Sequence, residues 1–183
     1  SVVEEEKPNL VIISNPLSPI GEYKTKEEIT EIAEVCKKIG CILLIDEAYY
    51  PVSRIDCVPL LKKFDNLIVI RTTAKAWGMA GLRLGFAVSS EELITKMHNV
   101  RPMYETNNIG AFIFDYLLDN YQKVIESVER LKESKIFFSD QLIKLGYKVI
   151  NCEGNFILVK FGDRLNNIDK CLEDLKSTCK KSY

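Results

Sequence analysis

The chain has 183 residues, 46% of them apolar and 28% charged, with a formal net charge of -1. That length supports one domain with a real core, or a domain plus part of a second, and the balanced charge excludes the basic footprint of a nucleic-acid or anionic-membrane binder. No apolar run approaches the ~20 residues of a bilayer span, and Ser1-Val2-Val3-Glu4-Glu5-Glu6 lacks the basic flank of a signal peptide, so a cytoplasmic location is expected.

Asn9 to Ser14 is a short apolar run before an Asn-Pro turn and reads as a strand buried on both faces of a parallel sheet. Thr25 and Glu28 have capping-box spacing, and Ile29, Ile32, Ala33 and Cys36 form the stripe of a helix that Gly40 ends. Cys41 to Ile45 is a second buried strand, delivering Asp46 at its C-terminal end. A shorter helix around Val58 to Phe64 leads to a third strand, Asn66 to Arg71. Leu84 to Val88 reads as a fourth, and Ser89 with Glu92 caps a helix to about Asn99 that Arg101-Pro102 breaks. From Asn108 the pattern is helical to about Leu145, as one helix or as two meeting near Asp119-Asn120, with Gly146 as the stop. Tyr147 to Ile150 and Asn155 to Phe161 are expected strands, followed by an amphipathic helix from about Asn167 to Cys179.

Strand and helix alternating on this scale signal a doubly wound α/β sheet, whose ligands sit beyond the carboxyl ends of the strands. Polar clusters follow those ends at Asn15 to Gly21, Asp46 to Tyr50 and Thr72 to Lys75. The tail reads as a separate α+β layer, which divides the chain near Asn120 into residues 1–120 and 121–183. The six cysteines form no C-x-x-C and sit among apolar neighbours, so they are expected to be reduced and mostly packing. His98 is the only histidine, and one imidazole without clustered partners makes no metal site.

The most informative stretch runs from Thr72-Thr73-Ala74-Lys75 through Gly81-Leu82-Arg83-Leu84-Gly85. A lysine just past a buried strand, with an arginine between glycines downstream, resembles the cofactor-lysine segment of class I/II aminotransferases, which use pyridoxal 5'-phosphate (PLP). The histidinol-phosphate aminotransferase branch is the most similar. An amine must reach the cofactor's aldehyde, a hydroxyl and a guanidinium must hold its phosphate, and glycines let the backbone turn around them. By this resemblance Lys75 carries the Schiff base, and Thr72 and Arg83 bind the phosphate. Alone, this spacing also fits a surface lysine and a salt-bridged arginine. Asp46-Glu47-Ala48-Tyr49 resembles the family's D-x-A-Y element, which implies Asp46 at the pyridine nitrogen and Tyr49 at the phenolic oxygen. An aspartate at a strand end is also a common helix cap. Asn15-Pro16-Leu17-Ser18-Pro19-Ile20-Gly21 resembles the family's N-P-x-N-P-T-G turn, with Ser18 where an asparagine bonds the phenolic oxygen and Ile20 where a threonine stands. Ala74 occupies the place of a phosphate-binding serine.

Asn155-Phe156 resembles the segment near the substrate side of the small domain, though an asparagine also opens strands as a turn residue. Arg101-Pro102-Met103-Tyr104 resembles the segment joining the two domains, and Trp77 reads as packing.

The resemblance implies part of a fold type I large domain, a mostly parallel sheet with helices on both faces, followed by part of an α+β small domain. It also implies amino-group transfer between a small-molecule amino donor and a 2-oxo acid, in a protein that is a homodimer when complete. Lys75 would move the proton between the substrate's α carbon and the cofactor's C4′. The alternatives are a PLP-dependent decarboxylase or lyase of the same fold and a non-catalytic truncated paralogue. Family members also carry N-terminal phosphate and ring contacts and a C-terminal arginine for the substrate carboxylate. The 183 residues alone are therefore expected to be incomplete for turnover.

Overall fold

The computed structural model describes residues 1–103 and 105–174. A short helix, α1 (Val2–Glu6), is capped by Ser1 and packs on α2; the sequence reading had no element there. Strand β1 (Leu10–Ser14) follows, then α2 (Lys26–Lys38), whose capping box forms as its spacing predicts. Thr25 N donates to Glu28 Oε2 (2.8 Å), and Glu28 N to Thr25 Oγ1 (3.2 Å). β2 (Ile42–Asp46) and β3 (Leu67–Thr72) complete a parallel trio, and β4 (Gly85–Ser89) pairs antiparallel with β3. The sheet order is β1-β2-β3-β4. The antiparallel return follows from the connection, because residues 73–84 hold only a 3-10 turn at Ala80–Leu82 and no crossover helix that a parallel partner requires.

One face of this sheet is sealed. Ile29, Ala33 and Cys36 of α2 pack on Cys41, Leu43 and Ile45, with Leu67, Val69, Cys57 and Phe64 completing the core. Burying such a row removes roughly 1.5–3 kcal/mol of exposure cost per large aliphatic side chain. The other face is open at β1, where Leu10 is 45% and Ile12 63% exposed. Burial of β1 on both faces was expected and is not found, because α2 roofs one side of an edge strand. Between β2 and β3, the segment expected as a helix around Val58 to Phe64 is a 3-10 helix, Val58–Lys62, started by Pro59.

Helix α3 (Glu91–Val100) starts after Ser90, not Ser89, whose hydroxyl is committed to Leu67 O (2.6 Å). Two helices then meet at Asn120, α4 (Asn108–Asp119) and α5 (Tyr121–Lys144), and Gly146 closes the second with φ 84°. β5 (Lys148–Asn151) and β6 (Ile157–Lys160) form a separate antiparallel pair against α5, and α6 spans Leu165–Asp174. The expected helix beyond Asp174 and Tyr104 of the joining segment lie outside the described residues. A second core lies beside Lys75, where Ala76 and Trp77 pack with Val52 against Val124 and Val128 of α5.

Candidate active site

Backbone register places the first functional groups. Ser14 pairs with Asp46, and Asp46 with Ile70, so these residues share a sheet face, and alternation puts Thr72 on that face too. Asp46 Oδ1 accepts from Ala48 N (2.9 Å), which starts the turn carrying Tyr49. The Tyr49 ring is buried, and its hydroxyl donates to Ser18 Oγ (3.1 Å).

Ser18 is held by the loop after β1. Asn15 is buried and locks that loop, donating from Nδ2 to Lys24 O (3.0 Å) and accepting at Oδ1 from Lys24 N (2.7 Å). Gly21 at its far end has φ 78°, and a Cβ there would lie 2.1 Å from Cys152 Cβ. Only glycine permits that approach. Cys152 Sγ in turn donates to Ile20 O (3.3 Å).

Lys75 is exposed, with Nζ 5.5 Å from the Tyr49 ring centroid. Thr72 Oγ1 donates to Leu84 O (3.2 Å) and accepts from Ala74 N (3.1 Å), bending the chain from β3 toward Lys75. Arg83 is exposed and left-handed at φ 53°, a conformation that costs a non-glycine residue on the order of 1 kcal/mol. Its Nη1 donates to Ala80 O (3.3 Å). It lines a cleft of about 750 Å³ between β4 and α3 that Lys75, Asp46 and Tyr49 do not line, so volume does not mark this site. Asn155 is exposed and comes near through its neighbour, since the Phe156 ring meets Tyr49 edge-on at 5.3 Å. Trp77 is a packing residue, 5.4 Å from the rings of Phe114 and Tyr121.

Ser18, Tyr49 and Lys75 are thus brought together, Asp46 and Thr72 share a face beside them, and Arg83 and Asn155 stand at the margin. Together they offer an amine, a carboxylate, hydroxyls, a phenol and a guanidinium. That donor set fits a ligand with an aldehyde, a ring nitrogen and a phosphate.

Behind the site lies an ion cluster that the sequence reading missed. Glu47 is fully buried and accepts at Oε2 from Arg71 Nε (3.0 Å) and Nη2 (2.7 Å) and at Oε1 from Cys57 N (2.6 Å). Arg71 Nη2 also donates to Asp56 Oδ1 (2.6 Å), and the Tyr50 ring stacks 3.5 Å from the guanidinium. Burial alone would lower the Arg71 pKa, but its hydrogen bond and charge pairing with Glu47, then Asp56, hold it above its ordinary value. Burial first, then the Glu47 charge, pushes the Cys57 thiol up. Tyr121 of α5, beside Tyr50, is pushed up to about 12, mainly by burial. The one available sequence signal was position: Glu47 follows Asp46 and Arg71 precedes Thr72.

Among the described residues no group of three or more His, Cys, Asp or Glu is placed to hold a metal ion, and no helix is long and apolar enough to cross a membrane. Cys36, Cys41, Cys57 and Cys152 are buried free thiols, Cys171 is exposed, and Cys179 lies outside the described residues.

The family described as aminotransferase class I and II matches residues 2–180. Histidinol-phosphate aminotransferase of Clostridium novyi is 33% identical over 171 residues, covering 93% of this chain and 47% of that protein. Among solved structures, the histidinol-phosphate aminotransferase from Sinorhizobium meliloti in complex with pyridoxal-5'-phosphate has a TM-score of 0.85 at 22% identity, over 98% of this chain and 50% of that one. A decarboxylase from Sulfurospirillum multivorans gives 0.78 at 21%, over 93% and 51%. At these identities the structural likenesses show the fold, which is the expected one. The chain spans about half the length of the curated relatives it matches.

Proposed function

Since the chain belongs to the class I and II aminotransferase family, we propose that the protein carrying it is a PLP-dependent aminotransferase resembling histidinol-phosphate aminotransferase. It moves an amino group between an amino acid or amino-phosphate donor and a 2-oxo acid. The observation that carries this reading is the convergence of Lys75, Tyr49 and Ser18 beside the face shared by Asp46 and Thr72.

When bound, PLP supplies an aldehyde that condenses with amines and a ring that draws electron density from the substrate's α carbon. Asp46 would hold a proton at the ring nitrogen, the Tyr49 hydroxyl and Ser18 would bond the phenolic oxygen, and Thr72 with Arg83 would hold the phosphate. Lys75 Nζ would be the attachment point and would then serve as the base that takes the proton from the substrate's α carbon. The geometry supports the roles of Lys75, Tyr49 and Asp46 most directly, whereas the Thr72 hydroxyl donates to Leu84 O and would have to turn from it to reach a phosphate. Ser18 acts first through Tyr49, and Arg83 and Asn155 would contribute from the margin, Asn155 on the substrate side.

We place residues 1–120 in the cofactor-binding domain and 121–183 in the small domain, a division supported by the helix break at Asn120 and by the two separate sheets. A homodimer in the cytoplasm completes the reading. The exposed row Ile109, Phe112 and Tyr116 on α4 supports association.

Borohydride reduction of the complete, PLP-loaded protein followed by peptide mapping tests the assignment. Label is expected on Lys75 alone, and Lys75→Ala should lower the amino-acid half-reaction by at least about 10³-fold. Label on another lysine sinks the reading. Recovery of the cofactor by a 2-oxo acid marks a transaminase, and release of carbon dioxide marks the decarboxylase alternative.

A further inference from the structure

Asp46 and Thr72 each have a chain neighbour, Glu47 and Arg71, that faces away from them. The final backbone rung between β2 and β3 is Glu47 N donating to Ile70 O (2.9 Å). Past that rung, the side chains of the next residues join the two strand ends. Strand alternation turns Arg71 to the face opposite Thr72, where Glu47, fully buried, receives two of its N–H groups on one oxygen. Asp56 takes a further Nη2 bond, Cys57 N fills the other Glu47 oxygen, and Tyr50 covers the guanidinium plane. Charge-assisted bonds from a planar guanidinium fix direction as well as distance.

We infer that Glu47 and Arg71 are positioning residues that set the separation of Asp46 from Thr72, and so of the group at the cofactor's ring nitrogen from one at its phosphate. The inference rests on the PLP reading above. A rigid ligand with its nitrogen and phosphate at a fixed span binds tightly only when both anchors are held at that span. The ladder between β2 and β3 ends at Asp46 and Ile70, short of Thr72, and the ion cluster continues the link between these two strands. Asp56 is the outer brace: its side chain is 34% exposed, against 0% for Glu47, and it keeps Arg71 from rotating away.

A merely structural plug would give stability and nothing else. Three variants of the complete protein separate the two roles: Glu47→Gln, Asp56→Asn and the paired Glu47→Leu with Arg71→Leu. Glu47→Gln keeps the shape and the bond from Cys57 N but removes the charge. It is expected to weaken PLP binding about tenfold and to move the pH midpoint of the bound cofactor's visible absorption. Asp56→Asn leaves the core filled and should give a smaller change in the same direction, about threefold, which keeps the test open if Glu47→Gln does not fold. The paired apolar variant removes two buried charges together and so can keep its thermal stability, yet it should retain the weakened binding and the displaced spectral midpoint. Wild-type affinity and an unmoved midpoint in folded variants would overturn the positioning role while wild-type protein still labels at Lys75. Wild-type protein that takes up no PLP at Lys75 would overturn both that role and the parent reading.

Discussion

The two faces of the first sheet are built from the same strands and do different work. On the α2 side, Leu43, Ile45, Leu67 and Val69 are closed under Ile29, Ala33 and Cys36, and the row ends in the Glu47–Arg71 pair. On the opposite side, Leu10 and Ile12 are open at the edge, and the row ends in Asp46 and Thr72. Alternation lets neighbouring residues serve both ends, so the face that holds the strands rigid and the face that presents chemical groups are one residue apart. A site that must hold a ligand to fractions of an ångström gains from this arrangement, because its rigidity comes from packing it does not share.

The largest effect that bears on this contrast is packing. Leu43→Ala is expected to cost about 2–5 kcal/mol in denaturant unfolding of the complete protein, whereas Ile12→Ala should stay within about 0.5 kcal/mol. Equal losses would mean that the Ile12 face is covered in the complete protein, and the contrast would vanish.

A smaller effect is expected with pH. Burial, reinforced by Cys41, raises the Cys36 thiol from an ordinary 9.0 to about 11. The folded state therefore favours the protonated thiol more than the unfolded state does. Its contribution is complete below pH 9.0 and is lost as the pH rises toward about 11. Unfolding at about pH 8 and about pH 10 should differ on the order of 1 kcal/mol from this thiol, and Cys36→Ala should remove that part of the slope. An unchanged slope would place the alkaline sensitivity elsewhere.

The smallest effect belongs to the open face. Ser18→Asn replaces a hydroxyl that accepts from Tyr49 with an amide that offers a fixed donor, and the spectral midpoint of bound PLP is expected to move by about half a pH unit. An unmoved midpoint would show that Tyr49 already satisfies the phenolic oxygen.

What was legible in the sequence was what is written locally. The apolar runs marked β1 to β4, Thr25 and Glu28 marked the start of α2, and Asn120 and Gly146 marked helix ends, because each signal lies within a turn or two of its consequence. The direction of β4 was not legible, since Leu84 to Val88 has the same pattern in either orientation and only the missing crossover helix decides. Nor was the start of α3 at Ser90, since the hydroxyls of Ser89 and Ser90 both donate to backbone carbonyls across the sheet edge, Leu67 O and Asp65 O, and neither caps the helix with its side chain. Lys75, Tyr49 and Ser18 were found because a family resemblance carries long-range information. Glu47 and Arg71 lie 24 positions apart, and nothing local announces a buried ion pair at that distance.

The seat of Gly21 against Cys152 has a consequence for the order of assembly. The bond from Cys152 to Ile20 closes 132 positions of chain. Loops of that length are slow to close compared with the local hairpins and helices on either side of it. During synthesis, at roughly 5–20 residues per second, the loop bearing Ser18 waits on the order of 10 seconds for its partner to be made. Through that interval β1, α2 and β2 can form and Asn15 can lock onto Lys24, so the Cys152 contact is a late addition to a loop that its own local bonds already hold.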